Sequence, residues 1–273
     1  PRMPGFEIAT VGDNCIDRFT GAERFSLVGG NAVNVAVQLC RLGRKAAYFG
    51  AVGTDQAGAR TIRVLSLNGV DVRHMREVAG ITAYTEVARN AEGDRKFIHE
   101  EFGVVRDYRT DADDLAALGS ARHVHIGWLN DGGALRRALA QAGVSVSQDI
   151  SVNAEPRNLG VAGLDIAFAT SDGSSSEAIQ KARELIAADA KLAVITRGAE
   201  GSLASDGQTI VELPALPIDP VDTTGAGDAF IAGFLDARLA ALPLIDCLER
   251  GREIATKTCL HLGGFPQEFH RDS

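Results

Sequence analysis

Along this chain, short apolar runs alternate with longer stretches in which apolar residues recur every three or four positions. Ile8 to Val11 reads as a buried strand that closes at Gly12-Asp13-Asn14. Asn31 to Leu42 follows as a mostly apolar helix, stopped by Gly43 at a position that favours a left-handed backbone. Ala46 to Val52 is again strand-like, and Thr54 or Asp55 caps a helix whose Ala59, Ile62 and Leu65 share one face before Asn68-Gly69 ends it. Strand patterns return at Val124 to Ile126, Val144 to Val146, Ile166 to Ala169 and Leu192 to Thr196. This alternation predicts an α/β fold: a doubly wound, mostly parallel sheet with helices on both faces.

One segment breaks the rhythm. Thr82 to Ala88 and Arg95 to Glu101 are strand-like, are joined by Asn90-Ala91-Glu92-Gly93-Asp94, and have no helix between them. Their charges keep them out of a buried central sheet, which leaves a small β unit over a binding site or a plain edge hairpin. A later hairpin, Ser202 to Ala204 and Thr209 to Leu213 around Asp206-Gly207, reads as structural. There is no internal repeat, low-complexity stretch or linker, so residues 1–273 read as one domain.

Composition narrows the function. A 45% hydrophobic content with no apolar run near the ~20 residues of a membrane span describes a soluble protein with a sizeable core. Cys15, Cys40, Cys247 and Cys259 show neither CxxC nor zinc spacing, and no signal peptide is visible; the expectation is reduced thiols and a cytoplasmic location. A net charge of −8 without a basic block argues against a nucleic-acid partner and for a small-molecule one.

The chemistry is concentrated near the C-terminal end. Asp222-Thr223-Thr224-Gly225-Ala226-Gly227-Asp228 places small residues at a turn and an aspartate just before an apolar helix, Ala229 to Phe234. Small residues admit an anion to the backbone, and a first helical turn offers unpaired N–H groups and a positive dipole end. Asp228 is then a carboxylate beside a phosphoryl group, ionised at neutral pH at its ordinary pKa of about 3.9 and placed to take a hydroxyl proton. Alone, a GxGD pattern is equally a glycine-rich helix start. A second motif changes that balance: Gly29-Gly30-Asn31-Ala32-Val33-Asn34, running on to Ala36, Gly43 and Gly53.

Together the two stretches resemble both signatures of the ribokinase-like (PfkB) family of sugar kinases, in the right order and at a suitable separation. The resemblance implies ATP-dependent transfer of a phosphoryl group to a sugar hydroxyl, with Asp228 as base and Gly225, Ala226 and Gly227 as the anion hole. It implies a β lid built from about residues 14–28 and 82–105; the edge strands of such a lid are exposed unless a partner lid covers them, so a homodimer through the lid is the expectation. Sugar binding falls to Asp13, Asn14, Asp17, Gly29, Gly30 and Asn34, with an Asx turn as the alternative role for Asp13 and Asn14. Thr196, Arg197, Gly198 and Gly201 resemble the nucleotide loop, and Gly263 falls on the adenine side. Asp222 is the candidate for a monovalent-cation site such as K⁺, or a local cap only. The family's NxxE motif is missing: Thr170 to Glu177 stands in its place, with Glu177 reaching Mg²⁺ through water or serving the helix start behind Ser174. Asp149 is a further acidic candidate. Gly12 to Asp17, followed closely by Gly29 to Val37, is similar to the fructoselysine 6-kinase branch, which implies a fructosamine substrate phosphorylated on its 6-hydroxyl. Asp13, Asp17 and the lid acids Glu100 and Glu101 suit its cationic amine. The alternatives are a kinase of another small sugar or nucleoside, and a ligand-binding relative without turnover. A dehydrogenase lacks support, because no GxGxxG follows the first strand.

Overall fold

The structure, a computed structural model, describes residues 5–20, 24–89 and 95–271. Its centre is a nine-stranded sheet in the order β13-β12-β11-β10-β9-β8-β1-β4-β5. The strands are β1 (Ile8–Val11), β4 (Ala46–Gly53), β5 (Met75–Val78), β8 (His123–Ile126), β9 (Val146–Asp149), β10 (Ile166–Thr170), β11 (Ala193–Thr196), β12 (Ser202–Ser205) and β13 (Ile210–Leu213). Seven run parallel, from β5 to β11, and β12 and β13 add an antiparallel edge. From β1 the chain winds outward through β4 to β5, then returns to β8 on the other side of β1 and winds away through β9, β10 and β11. The loops after β1 and β8 therefore diverge, opening a crevice at the carboxyl ends of the strands.

Helices cover both faces. Val35 and Leu39 of α1 (Asn31–Arg41), Phe234 of α6 (Ala226–Leu239) and Leu248 of α7 (Leu244–Thr258) pack with Ile8, Ile166, Phe168 and Val194. Leu118 of α3 (Ala112–Leu118) and Leu135 and Leu139 of α4 (Ala134–Gln141) cover Val11, Phe49, Val124 and Val146 on the opposite side. The helices α2 (Gln56–Leu67) and α5 (Ser175–Ala187) complete the two layers. Among the described residues no helix is long and apolar enough to cross a membrane.

A second sheet stands apart, in the order β3-β2-β6-β7, from β2 (Cys15–Thr20), β3 (Phe25–Gly29), β6 (Tyr84–Arg89) and β7 (Arg95–Glu101). The expected hairpin is its β6–β7 pair; the turn predicted at Asn90–Asp94 lies outside the described residues. Two expectations shift in register. The strand anticipated at Val144 to Val146 runs from Val146 to Asp149, because the Val144 N–H is spent on the Leu139 carbonyl as the last turn of α4 closes. Asp149 is thus the last residue of that strand, not a residue beyond it. Thr82, read as strand, instead ties down the approach to β6: its N–H and hydroxyl both donate to Asp55, which also accepts from the Gly58 N–H as the cap of α2.

Phe234 is fully buried and meets Phe168 edge to face at 5.5 Å. Phe234→Ala is expected to cost about 3–5 kcal/mol of unfolding free energy, measured by denaturant titration, since the hole lies under three packed layers.

Candidate active site

The site begins where β1 ends. Asp13 leaves the strand beside Gly12 and turns its carboxylate onto backbone: Oδ2 accepts from the Asn31 N–H at 2.7 Å, and Oδ1 from Ala32 at 3.2 Å and Trp128 at 3.0 Å. It therefore caps α1 from another element and ties in the loop after β8. This adds a framework role to the two the sequence offered, an Asx turn or a sugar contact. Gly30 must be glycine to allow it, because at φ +106° a Cβ would stand 2.8 Å from Asn14 Cα and 3.1 Å from Asp13 Oδ2.

With the first turn of α1 fixed, its two asparagines reach across to α6. Asn31 donates to Asp228 Oδ1 at 2.6 Å and to Asp149 Oδ2 at 2.9 Å; Asn34 donates to Asp228 Oδ2 at 2.7 Å. Asp228 is the third residue of α6, behind Gly225 in the left-handed conformation (φ +71°). A Cβ on Gly225 would meet Gly264 Cα at 2.5 Å, whereas nothing lies within 4 Å of a Cβ on Gly227. The space over Gly227 is open, as an anion site at a helix start requires. The Ala226 N–H is bonded to Thr223 O at 3.2 Å, which leaves Gly227 and Asp228 to face that space.

Burial pushes the Asp228 carboxyl up to about 7; donation from Asn34 and Asn31 opposes the shift, and Asp149 and Asp13 add to it. The sequence expectation of an untuned aspartate is corrected here: three carboxylates converge on one asparagine. Burial raises Asp13 and Asp149 too. Among the described residues no lysine or arginine pairs with any of the three.

Asn14 and Asn34 each keep a buried Oδ1 without a protein partner. The amide of Asn14 is oriented by donation to Tyr48 Oη at 3.0 Å and to the Ala51 carbonyl at 2.7 Å, so its oxygen is fixed as an acceptor. Asp17 lies beside Gly29, where a Cβ would fall 2.8 Å from its Oδ2 and 3.9 Å from Asn34 Oδ1. Two orphaned acceptors and a carboxylate around Gly29 suit the hydroxyl donors of a sugar.

Other residues singled out in the sequence serve the frame. Asp222 is buried and accepts from Thr224 N–H and Gly263 N–H, both at 2.7 Å, binding the loop before α6 to the segment after α7. Gly263 (φ +74°) packs on Leu27. Gly201 (φ +102°) abuts the Leu213 carbonyl, where a Cβ would fall 2.1 Å away. The Arg197 side chain is only 10% exposed and lies 3.8 Å from Glu212 and 3.9 Å from Glu200, so its charge is matched at the antiparallel edge. Thr196 Oγ1 lies 3.1 Å from Thr170 Oγ1 at the ends of adjacent strands, and Gly198 (φ +54°) borders open space. Glu177 closes a capping box with Ser174, and its carboxylate accepts from the Ser174 N–H at 2.6 Å. No group of three or more His, Cys, Asp or Glu among the described residues gathers as a metal site. The lid acids divide: Glu101 accepts from the Gly103 N–H and Arg106, whereas burial and the Asp13 charge raise Glu100. Sequence reasoning missed the clamp on Asp228, although Asn31 and Asn34 at i and i+3 on one helix face were its signal.

The fold is the ribokinase one. An Arabidopsis thaliana ribokinase, solved with ribose and ATP, superposes with a TM-score of 0.87 at 20% identity, covering 96% of each chain. The pfkB family carbohydrate kinase model matches residues 22–154 and 161–266, and the chain belongs to that family. It is an ATP-dependent phosphotransferase with a sugar-kinase site. A fructosamine kinase of Bacillus subtilis is 33% identical over 95% of this chain and 93% of its own. The fructoselysine 6-kinase of Escherichia coli is 33% identical over 94% of this chain and 99% of its own.

Carbon-13 titration of the side-chain carboxyls is expected to place Asp228 near pH 7, far above the ordinary ~3.9. Asn34→Ala removes a donor to the ionised form and is expected to move that midpoint higher still; a lower midpoint would contradict the clamp.

Proposed function

We propose that this protein transfers the γ-phosphoryl group of ATP to the 6-hydroxyl of a fructosamine such as fructoselysine. The observation that carries the reading is the Asp228 carboxylate on the first turn of α6, held from both sides by Asn31 and Asn34 of α1 and preceded by Gly227, which faces open space. The acceptor hydroxyl approaches Asp228 and gives up its proton there, while the N–H groups at the start of α6 receive the charge that builds on the phosphoryl oxygens. ATP suits this end of α6 and the open backbone at Gly198; it supplies the phosphoryl group, and the family typically takes it with Mg²⁺. The orphaned oxygens of Asn14 and Asn34, with Asp17, accept from sugar hydroxyls and set the ring so that one primary hydroxyl reaches the base.

For the substrate branch, the support is the named relatives and an electrostatic argument. Asp13, Asp149, Asp228 and Glu100 raise one another or are raised by burial, with no cationic side chain among the described residues paired to them. A cation entering between the lid and the crevice relieves that repulsion, and a fructosamine brings one on the carbon next to its ring.

Asp228→Asn is expected to lower turnover by about 10²-fold or more while ATP still binds, measured by coupled assay and calorimetry; near-normal turnover would remove Asp228 as the base. Glu100→Gln is expected to raise KM for fructoselysine by about 3- to 10-fold, the loss of one partly exposed charge pair, and to leave KM for fructose unchanged. Equal effects on both sugars would discard the fructosamine assignment and leave the kinase.

A further inference from the structure

A continuous row of polar side chains runs through the otherwise largely apolar layer between the central sheet and the helices α1 and α6, with Thr10 of β1 beside it. His123 and His125 stand two apart on β8, and Ser147 stands opposite His125 on β9, so all three point to the same face. His125 meets the edge of Phe168 at 5.9 Å. The row is continuous: His123 Nδ1 is 2.9 Å from Ser145 Oγ, His123 Nε2 is 2.7 Å from Ser147 Oγ, and Ser147 Oγ is 2.9 Å from His125 Nδ1. His125 Nε2 then lies 3.4 Å from Asn31 Oδ1. At the outer end Ser145 bonds Asp165, whose carboxylate also accepts from Lys191 and from the Val146 N–H. At the inner end is the asparagine that clamps Asp228.

The hydrogens along this row can be counted. Asn31 must turn its amide nitrogen to the two carboxylates, so Oδ1 faces His125 and only accepts. Ionised Asp165 also only accepts. Between these two acceptors, Ser145, His123, Ser147 and His125 are joined by five links. A hydroxyl brings one hydrogen, and a neutral imidazole brings one. Both rings are neutral at physiological pH. Burial lowers His123 to about 4, with Asp165 opposing and Arg238 assisting, and lowers His125 to about 3, assisted by His123. Four hydrogens serve five links, so one link always sets two acceptors face to face. It falls at the longest separation, the 3.4 Å between His125 and Asn31. In this state the hydrogens run outward to Asp165, and His125 carries its own on Nδ1.

We propose that the Ser145–His123–Ser147–His125 ladder positions and tunes the base, with Ser145 and His125 deciding whether Asn31 Oδ1 receives a hydrogen. The proposal rests on the reading of Asp228 as the base. When the ladder runs inward, His125 donates from Nε2, the Asn31 amide is polarised, and its N–H bond to Asp228 strengthens. The groups facing Asp228 are Asn31 and Asn34 on α1, Asp149 at the end of β9 and Asp13 after β1. A stronger donor among them favours the ionised carboxylate. Histidine 125 is a positioning residue here, since it touches Asn31 and not the substrate.

Ser145→Ala is the decisive variant. It removes the outermost hydroxyl near the surface without changing charge, and leaves three hydrogens for three links that all point inward. In protein labelled with ¹⁵N, the ring-nitrogen correlations of His125 are expected to show Nδ1–H in the wild type and Nε2–H in Ser145→Ala. The acid limb of kcat/KM for fructoselysine is expected to move down by about 0.5 pH unit, roughly threefold in rate on that limb. The shift is expected to vanish in a His125→Phe background, as a double-mutant cycle demands of coupled sites. The same His125 tautomer in both proteins, or a shift that persists without His125, would overturn the proposal. If His125→Phe does not fold, the tautomer comparison decides alone. Normal turnover by Asp228→Asn would instead remove the base assignment, an outcome separate from the tautomer result.

Discussion

The half-buried carboxylate of Asp13 is the constraint on which the site depends. It gathers three N–H groups from two other parts of the chain, so the end of β1, the start of α1 and the loop after β8 are held at one point. Burying a carboxylate without a counter-ion is costly, and its raised pKa records that cost. Three backbone donors and the positive end of an 11-residue helix offset it. The gain is geometric. Once the first turn of α1 cannot move, the Asn31 and Asn34 side chains have a fixed origin from which to hold Asp228. The opposite end of that clamp is fixed in the same manner, because Asp222 ties the loop before α6 to Gly263, and Gly264 packs against Asn34. Gln38, one turn further along α1, donates to the Gly264 carbonyl at 2.7 Å and closes the ring of contacts.

This arrangement gives up stability for function. Asp228 has a folded pKa near 7 and an unfolded one near 3.9, so the folded state holds its proton over a range where the unfolded chain has lost it. Its contribution to stability therefore falls as pH rises from about 4 to about 7. Packing compensates elsewhere, in the layer where Phe168, Phe230 and Phe234 meet under α6. A carboxylate poised near neutrality accepts a proton more readily than one at 3.9, which is what a base for a sugar hydroxyl needs.

The layered fold and the glycine-rich start of α6 were legible in the sequence, because they rest on local signals. Apolar runs between glycine punctuation mark the buried strands, and Gly225 to Asp228 carries its own helix start. The edge strand β5 (Met75–Val78) was not legible: it is four residues long, sets the two charges Arg76 and Glu77 side by side, and pairs only with β4. The exit of β9 was misplaced because Val144 is as apolar as a strand residue and is spent on closing α4. Within the site, the structure gives several of the residues singled out in the sequence a role in the frame. Asp13, Gly201, Gly263 and Arg197 were read as ligand contacts, and each also answers a requirement of the chain itself: a cap, two close approaches and a matched charge. These requirements come from residues distant in sequence, such as Trp128, Leu213, Leu27 and Glu212, and single-chain pattern cannot reveal which of them come together.

The two ends of the site are built differently, and that bears on how such a fold serves different substrates. On the proposed reading, the base and the anion-receiving turn are held by two helices through the Asn31 and Asn34 contacts to Asp228. The substrate side includes strands of the smaller sheet, and Glu100 lies on β7, an edge strand that pairs only with β6. A side chain on an edge strand is replaced without loss of core packing, since one flank of the strand meets solvent. Asp17, on β2, is more constrained, because β2 is flanked by β3 and β6 and its neighbour Gly29 leads directly into α1. On the proposed reading, recognition of the sugar ring falls to the constrained strands, and discrimination among ring substituents to the edge. Ribokinase, fructokinase and fructosamine kinase are all among the proteins this chain resembles, so the choice of substrate rests on particular side chains and not on the fold.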